Sequence, residues 1–333
     1  MTKSDYFLPM HQVVFVVYPG FELLDVSGPV SAFNNANRAM LDPNQPLRYA
    51  FALVSSEGGS VASSSGVTVE TQKIGDLPSE GIGTLLVAGA EREPLLSAIA
   101  DRVLQTELPR HAAAARRFGS VCTGTFVLAA LGLLDGHRVA THWDGCKPLA
   151  QSYPAIKVDP DALYVEEGHI WTSAGVTTGI DMALAMIARD LGAAVASEVA
   201  KRLVLYARRP GYQSQFSPLL LAQARADSPF ADLIEWMQGN LDGTLDVSHL
   251  AERAGLSERT FHRRFVAALG DTPARFVESI RLDAARMLLS RGLPLKSVAA
   301  QVGLFPATRL SEAFQRRFGV SPQLFREMHA ENL

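Results

Sequence analysis

Between residues 11 and 200 the chain alternates short apolar, β-branched runs with longer Ala/Leu-rich stretches. The runs QVVFVVYP, YAFALVSS, GTLLVAG, RFGSVC and HIWTSAG are each bounded by Gly, Ser or Pro, which predicts five strands. Between them, residues 94–117, 124–134 and 179–191 have helical spacing. Apolar strands alternating with helices predict a doubly wound α/β domain, a mostly parallel sheet covered on both faces. Ligands on such sheets sit beyond the C-terminal ends of the strands, which directs the search for a site.

This rhythm ends near residue 208. The segment RRPGYQSQFSP (208–218) is polar, with two prolines and a glycine, and a linker over 208–227 would separate domains at 1–207 and 228–333. From there the pattern is helical. Ser228 and Pro229 have the character of an N-cap and first-turn pair for a helix running through Trp236. The stretch LAERAGLSERTFHRRFV (250–266) then returns as AAQVGLFPATRLSEAF (299–314). Key positions recur at an offset of 49: Phe261/Leu310, Phe265/Phe314, Gly270/Gly319, Pro273/Pro322 and Phe276/Phe325. A short helix, a turn (Ala254, Gly255, Leu256) and a second helix carrying Arg form the helix-turn-helix pattern. Two in series predict an all-α tandem helix-turn-helix domain that reads two successive turns of DNA. Between the repeats, residues 273–290 predict an amphipathic helix with Phe276, Ile280, Ala284, Met287 and Leu288 on its apolar face. At 1.5 Å per residue it spans about 27 Å, long enough to hold two recognition helices near the ~34 Å of one DNA turn.

Composition sharpens this picture in three places. The 333 residues are 47% hydrophobic and 20% charged, ordinary material for two globular cores. No apolar run approaches the ~20 residues of a membrane span, and MTKSDYFLPMHQ lacks a signal peptide's apolar region, so a cytoplasmic protein is expected. Cys122 and Cys146 are then expected as free thiols, Cys146 as a buried apolar residue. The net charge of −3 argues against binding of nucleic acid by bulk electrostatics. Residues 228–333, however, carry 13 Lys+Arg against 12 Asp+Glu, with Arg259, Arg263 and Arg264 clustered on one helix. Affinity for DNA would come from such local patches and fall with salt.

The run LAERAGLSERTFHRRF, the following Gly270 and Pro273, the AARMLL helix and the second Gly-Val-Ser-Pro with Phe325-Arg326 together resemble the AraC/XylS-type DNA-binding domain over about 100 residues. The resemblance implies that the second helix of each unit enters a major groove. By position, Arg259, His262 and Arg263 then face bases, since Arg pairs bidentately with guanine, while Arg264 is placed for phosphate. The plain alternative is a solvated helix face, with Phe261 and Phe265 as core. The second unit departs from the pattern: Pro306 stands at the helix start, and Glu312 where the family commonly has a basic residue. Glu312 would repel phosphate but can accept from cytosine N4, and Arg309, Arg316 and Arg317 remain for the backbone. The second unit is expected to bind more weakly.

Ser120-Val121-Cys122-Thr123-Gly124 follows a strand and opens a helix, with small residues two before and two after a thiol, as a nucleophile elbow requires. A helix N-terminus there would favour thiolate. With LLDVSGP (23–29), this region resembles the PfpI-type, class I glutamine-amidotransferase-like domains over about 190 residues, which implies a flavodoxin-like fold. Thr123 stands where proteases of that superfamily place His, which argues against peptidase activity. Asp25, Cys122 and Thr123 instead look like the groups around the reactive thiol of isonitrile hydratase, and His142 is a further candidate neighbour. An inherited elbow can equally shape a binding cavity without chemistry, and ligand sensing is preferred here over turnover. Thr177, Thr178 and Gly179 open the next helix as an N-cap or as an anion site.

Taken together the two halves resemble the GlxA family of regulators, with the stretches DPDALYVEEGHIWTSAGVTTGID and RRPGYQSQF included. That resemblance implies double-stranded operator DNA as partner, a small effector such as an amino acid or amine bound through Asp25, Cys122, Thr123 and His142, a homodimer, and no cofactor, metal or membrane. Two alternatives stay open: an isonitrile-hydratase-like enzyme, and a regulator switched by oxidation of Cys122.

Overall fold

The first strand, β1 (Met10–Val16), is buried on both sides, and its alternation sets up the layers. Val13, Phe15 and Val17 point to one core, Val14, Val16 and Tyr18 to another. The structure, a computed structural model, describes residues 10–39, 48–78, 80–160, 162–205, 211, 230–318 and 320–330. The chain divides into two compact units, residues 1–215 and 216–333.

In the first unit β1 is followed by α1 (Leu23–Ala39), β2 (Arg48–Ser55), the pair β3 (Gly59–Ala62) and β4 (Thr68–Lys73), and β5 (Ile82–Val87). Then come α2 (Arg92–Ala100), α3 (Arg102–Ala114), β6 (Arg117–Val121), α4 (Thr125–Ala130), β7 (Arg138–Val139) and α5 (Trp143–Ser152). The unit ends with β8 (Lys157–Val158), β9 (Tyr164–Glu167), β10 (Ile170–Ser173), α6 (Thr178–Leu191) and α7 (Ala193–Arg202). The main sheet has the order β3-β4-β2-β1-β5-β6-β10-β9. Its five central strands are parallel and, counted among themselves, run 2-1-3-4-5, the flavodoxin-like order, with the switch point between β1 and β5. Residues of α1, α6 and α7 cover one face and residues of α2, α3, α4 and α5 the other.

The fold class expected from the sequence stands, and the five expected strands are these five parallel ones. The helices need three corrections. Residues 94–117 are two helices, because Asp101 accepts hydrogen bonds from Val103 N (2.8 Å) and Leu104 N (3.1 Å) and so starts a new one. The helix expected over 124–134 stops at Ala130, ahead of Gly132 at φ 70°. Residues 23–29, read as a motif, open the 17-residue α1.

The linker expected over 208–227 and the Ser228–Pro229 pair lie outside the described residues, Gly211 excepted. Gly211 O accepts from Leu163 N at 2.6 Å, ahead of the edge strand β9.

The second unit consists of α8 (Ala231–Gly239), α9 (Val247–Arg253), α10 (Glu258–Leu269), α11 (Pro273–Ser290), α12 (Leu295–Gln301), α13 (Ala307–Phe318) and α14 (Pro322–Ala330). Helices α9–α10 and α12–α13 are the two helix-turn-helix units. Their repeated positions are core: Phe261, Phe265, Leu310 and Phe314 are fully buried, and Phe276 and Phe325 nearly so. Pro273 and Pro322 each open a helix; Gly319 lies outside the described residues. Ser257 caps α10 by accepting from Thr260 N, and Gly270 ends it in the left-handed conformation at φ 77°.

Helix α11 occupies the span expected for it. Met287, expected on its apolar face, is 55% exposed, while Leu282, Ala285, Arg286 and Leu289 are buried. The reason is geometric. Phe276, Val277 and Ile280 pack in the first helix-turn-helix core, whereas Arg286 lies over the ring of Phe318 in the second unit, 5.5 Å from its centroid. A helix with two partners buries two faces, and a single-stripe reading misses one of them.

Candidate functional site

The elbow forms at the C-terminal end of β6. Cys122 has φ 58°, a conformation that L-residues rarely adopt, and the chain passes through a 3-10 turn, Cys122–Gly124, into α4. Space around it exists because neighbouring loops place glycine there. A Cβ on Gly175 would stand 2.2 Å from Cys122 Cβ and 2.7 Å from Sγ; one on Gly89 would stand 2.7 Å from Cys122 Cβ. Gly124 packs against the Val87 carbonyl, and Ser120 Oγ meets Thr125 Oγ1 at 2.7 Å. The small residues read from the sequence therefore serve the turn.

Asp25 is fully buried. Its Oδ2 accepts from Gly89 N at 2.9 Å and its Oδ1 from Val176 N at 2.7 Å. Burial raises its pKa from 3.8 to about 7 against the pull of these two bonds. Both oxygens are committed to backbone, so Asp25 braces the two loops that flank the thiol rather than standing ready as a base. Thr123 is bound similarly: Oγ1 donates to Ala90 O (2.7 Å) and accepts from Ala90 N (2.9 Å).

The expectation of a thiolate is corrected. Burial pushes the Cys122 pKa up and the Asp25 carboxylate adds to the rise, while the N–H and hydroxyl of Thr123 oppose it. The helix that follows is six residues long, a short source of dipole. His142 occupies the N-cap position of α5 and packs on Trp143 with ring centroids 5.3 Å apart; burial lowers its pKa, so the ring is neutral at pH 7. Its neighbour Thr141 makes the direct link to the elbow, donating to Cys122 O at 3.0 Å. Thr141 and Thr125, whose hydroxyl donates to the same carbonyl at 3.1 Å, were not read from the sequence, which holds no sign of bonds between loops. Thr177 sits at the N-cap position of α6 without a side-chain cap; Thr178 Oγ1 instead donates to Gly175 O at 2.9 Å. Cys146 is buried, as expected.

In the first helix-turn-helix unit Arg259, His262, Arg263 and Arg264 are all exposed on α10, opposite the buried Phe261 and Phe265. In the second unit Arg309, Glu312 and Arg316 are exposed on α13 and line a cleft of about 570 Å³ with Asp246, Glu278 and Arg281. Arg316 Nη2 pairs with Glu278 Oε1 at 2.7 Å, so this guanidinium, expected on the DNA backbone, is engaged within the domain. Arg281, unread from the sequence, donates to Leu241 O (3.0 Å) and Gly243 O (2.7 Å) and abuts the turn at Gly303. One buried guanidinium thus ties α11 to the loop between α8 and α9 and to the turn of the second helix-turn-helix unit. An Arg set between the apolar Ile280 and Leu282 of an amphipathic helix was the available signal.

Among the described residues no helix is long and apolar enough to cross a membrane.

Comparison with known proteins agrees with this geometry. Residues 11–189 match the DJ-1/PfpI family and residues 250–328 the helix-turn-helix domain model. The HTH-type transcriptional regulator CdhR of Pseudomonas aeruginosa is 31% identical over 311 residues, 92% of this chain and 89% of its own length. The HTH-type transcriptional regulator GlxA of Rhizobium meliloti is 30% identical over 330 residues, 94% of each chain. Isonitrile hydratase of Pseudomonas putida is 31% identical over 204 residues, 61% of this chain and 82% of its own. The chain belongs to the DJ-1/PfpI family, in the form that these HTH-type transcriptional regulators share, with a tandem helix-turn-helix domain after the α/β domain.

Proposed function

We propose that this DNA-binding transcriptional regulator is controlled by a small amino acid or amine bound over the elbow of its α/β domain, and that it acts as a homodimer. The observation that carries the reading is the setting of the elbow. Asp144 and Glu91 act to raise the pKa of His142 against burial, Glu22 adds the smallest part of the rise at Cys122, and Trp143, packed on His142, is 50% exposed. Carboxylates with an exposed aromatic ring suit a positively charged group. The buried, protonated thiol suits a packing role beneath a bound ligand better than that of a nucleophile.

In this reading Asp25, Cys122, Thr123 and His142 shape the pocket. Arg259, His262 and Arg263 read bases, Arg264 holds phosphate, and Arg309 and Glu312 make the second unit's weaker contact, with Arg316 held by Glu278. A ligand that differs in affinity between two arrangements of domains or subunits shifts the population toward one of them, and with it operator affinity.

A thermal-shift screen of amino acids and quaternary amines tests this. A cation at 100 times its Kd should stabilise the α/β domain by about 2.7 kcal/mol, and Glu91→Gln with Trp143→Ala should remove the shift. Stabilisation only by compounds that carry no ammonium group would count against it. A second reading, turnover of isonitriles at Cys122, is supported by the left-handed elbow itself; an assay with simple isonitriles separates the two.

A further inference from the structure

The two helix-turn-helix units differ by one residue between turn and recognition helix. Gly255 and Leu256 correspond to Gly303 and Leu304 at an offset of 48, whereas Glu258–Leu269 corresponds to Ala307–Phe318 at 49. Counting back from the helices pairs Ser257 with Pro306, so the inserted residue is Phe305.

Phe305 does not join the core. It is 67% exposed, while Leu304 before it and Leu310 after it are 2% and 0% exposed. It stands just ahead of α13, at the end of a recognition helix that approaches base edges. The positions matching Arg259, His262 and Arg263 are Thr308, Ser311 and Glu312, none of them cationic. Arg309 and Arg316, the exposed guanidiniums of α13, line the cleft toward α11. The second unit therefore lacks the donors that read guanine and has an exposed aromatic ring in their place.

We infer that Phe305 is a DNA-reading residue that packs on a thymine C5-methyl group in the major groove. A phenyl ring beside a helix face without cations is suited to the groove's apolar group, as an Arg is to its paired acceptors. The inference rests on α13 being the recognition helix of a DNA-binding unit.

The test uses the full-length protein and a duplex obtained by selection from random sequence. Each thymine is replaced in turn by deoxyuridine, which removes the methyl group alone. At one or two positions in the half of the site bound by the second unit, the wild type should lose about 3- to 5-fold in affinity, the worth of one buried methyl. Phe305→Ala should lose a similar factor on the thymine duplex and be indifferent to deoxyuridine at those positions, with unchanged thermal stability because the ring is exposed. Phe305→Leu should retain part of the discrimination. A wild type insensitive to every deoxyuridine, or a Phe305→Ala variant that keeps the sensitivity, would overturn the inference while leaving the regulator reading intact. A wild type that selects no sequence at all would overturn both.

Discussion

Asp25 and Val176 are 151 positions apart in the chain, and the carboxylate Oδ1 of the first accepts the N–H of the second at 2.7 Å. The other oxygen takes the N–H of Gly89. One buried side chain thus fixes the loops after β5 and β10, and both loops bring a glycine against Cys122. The elbow keeps its shape because of a group that makes no use of the thiol.

The pH dependence of stability should show two opposed contributions. Asp25 has its pKa raised from 3.8 to about 7, so its contribution is full below pH 4 and is lost as pH rises through 7. His11, which is buried and shares a hydrogen bond with Thr84 at 2.7 Å, has its pKa lowered from 6.5 to about 4. Its contribution is full above pH 6.5 and is lost as pH falls through 4. Each is worth on the order of a few kcal/mol. Relative to wild type, Asp25→Asn should lose the falling component and leave stability rising between pH 4 and 6.5, and His11→Gln should leave it falling between pH 4 and 7. Urea unfolding at four pH values reads both slopes; slopes of the opposite sign would contradict the assignment.

The Cys122 thiol should react slowly. Alkylation by iodoacetamide at pH 7.5, followed by mass spectrometry, should run at least about tenfold slower in the folded protein than in the unfolded chain. Faster reaction in the folded protein would favour the enzymatic or redox-switched alternatives, which need a thiolate.

The parts of this fold that were legible are those whose pattern is local. β1, β6 and the 18-residue α11 announce themselves by apolar runs or by spacing. β4 reads TVETQK and is mostly exposed, and β7 and β8 are two residues each, so none offers an apolar run to recognise. The elbow was legible from Ser120 to Gly124 because its turn demands small residues. The roles inside it were not: Asp25 looks like a base until its two backbone partners, 64 and 151 positions away, are placed. Likewise the direction of the thiol pKa follows from burial, which no spacing encodes. Phe305 is a different case, since the change of offset from 48 to 49 is visible in the sequence alone.

On the DNA side, the substitutions should separate by role. Arg263→Ala should cost about 1–3 kcal/mol on the selected site and relax preference at one base pair. Arg264→Ala should weaken all duplexes alike and lower the salt slope by about 0.9. Glu312→Ala should leave overall affinity unchanged or raise it, because it removes a negative charge from the recognition helix of the second unit. Fluorescence anisotropy over a salt series distinguishes the three; Glu312→Ala as the most damaging change would reverse the assignment of the units.

The proposed regulator selects DNA by sequence under control of a small ligand. The most direct measurement is anisotropy of the full-length protein on a selected duplex and on a scrambled one, with and without the stabilising amine. The expected result is at least about a thousand-fold preference for the selected duplex, with an affinity that changes several-fold when the ligand is added. Equal affinity for the two duplexes, or a selective affinity that no ligand moves, would contradict it.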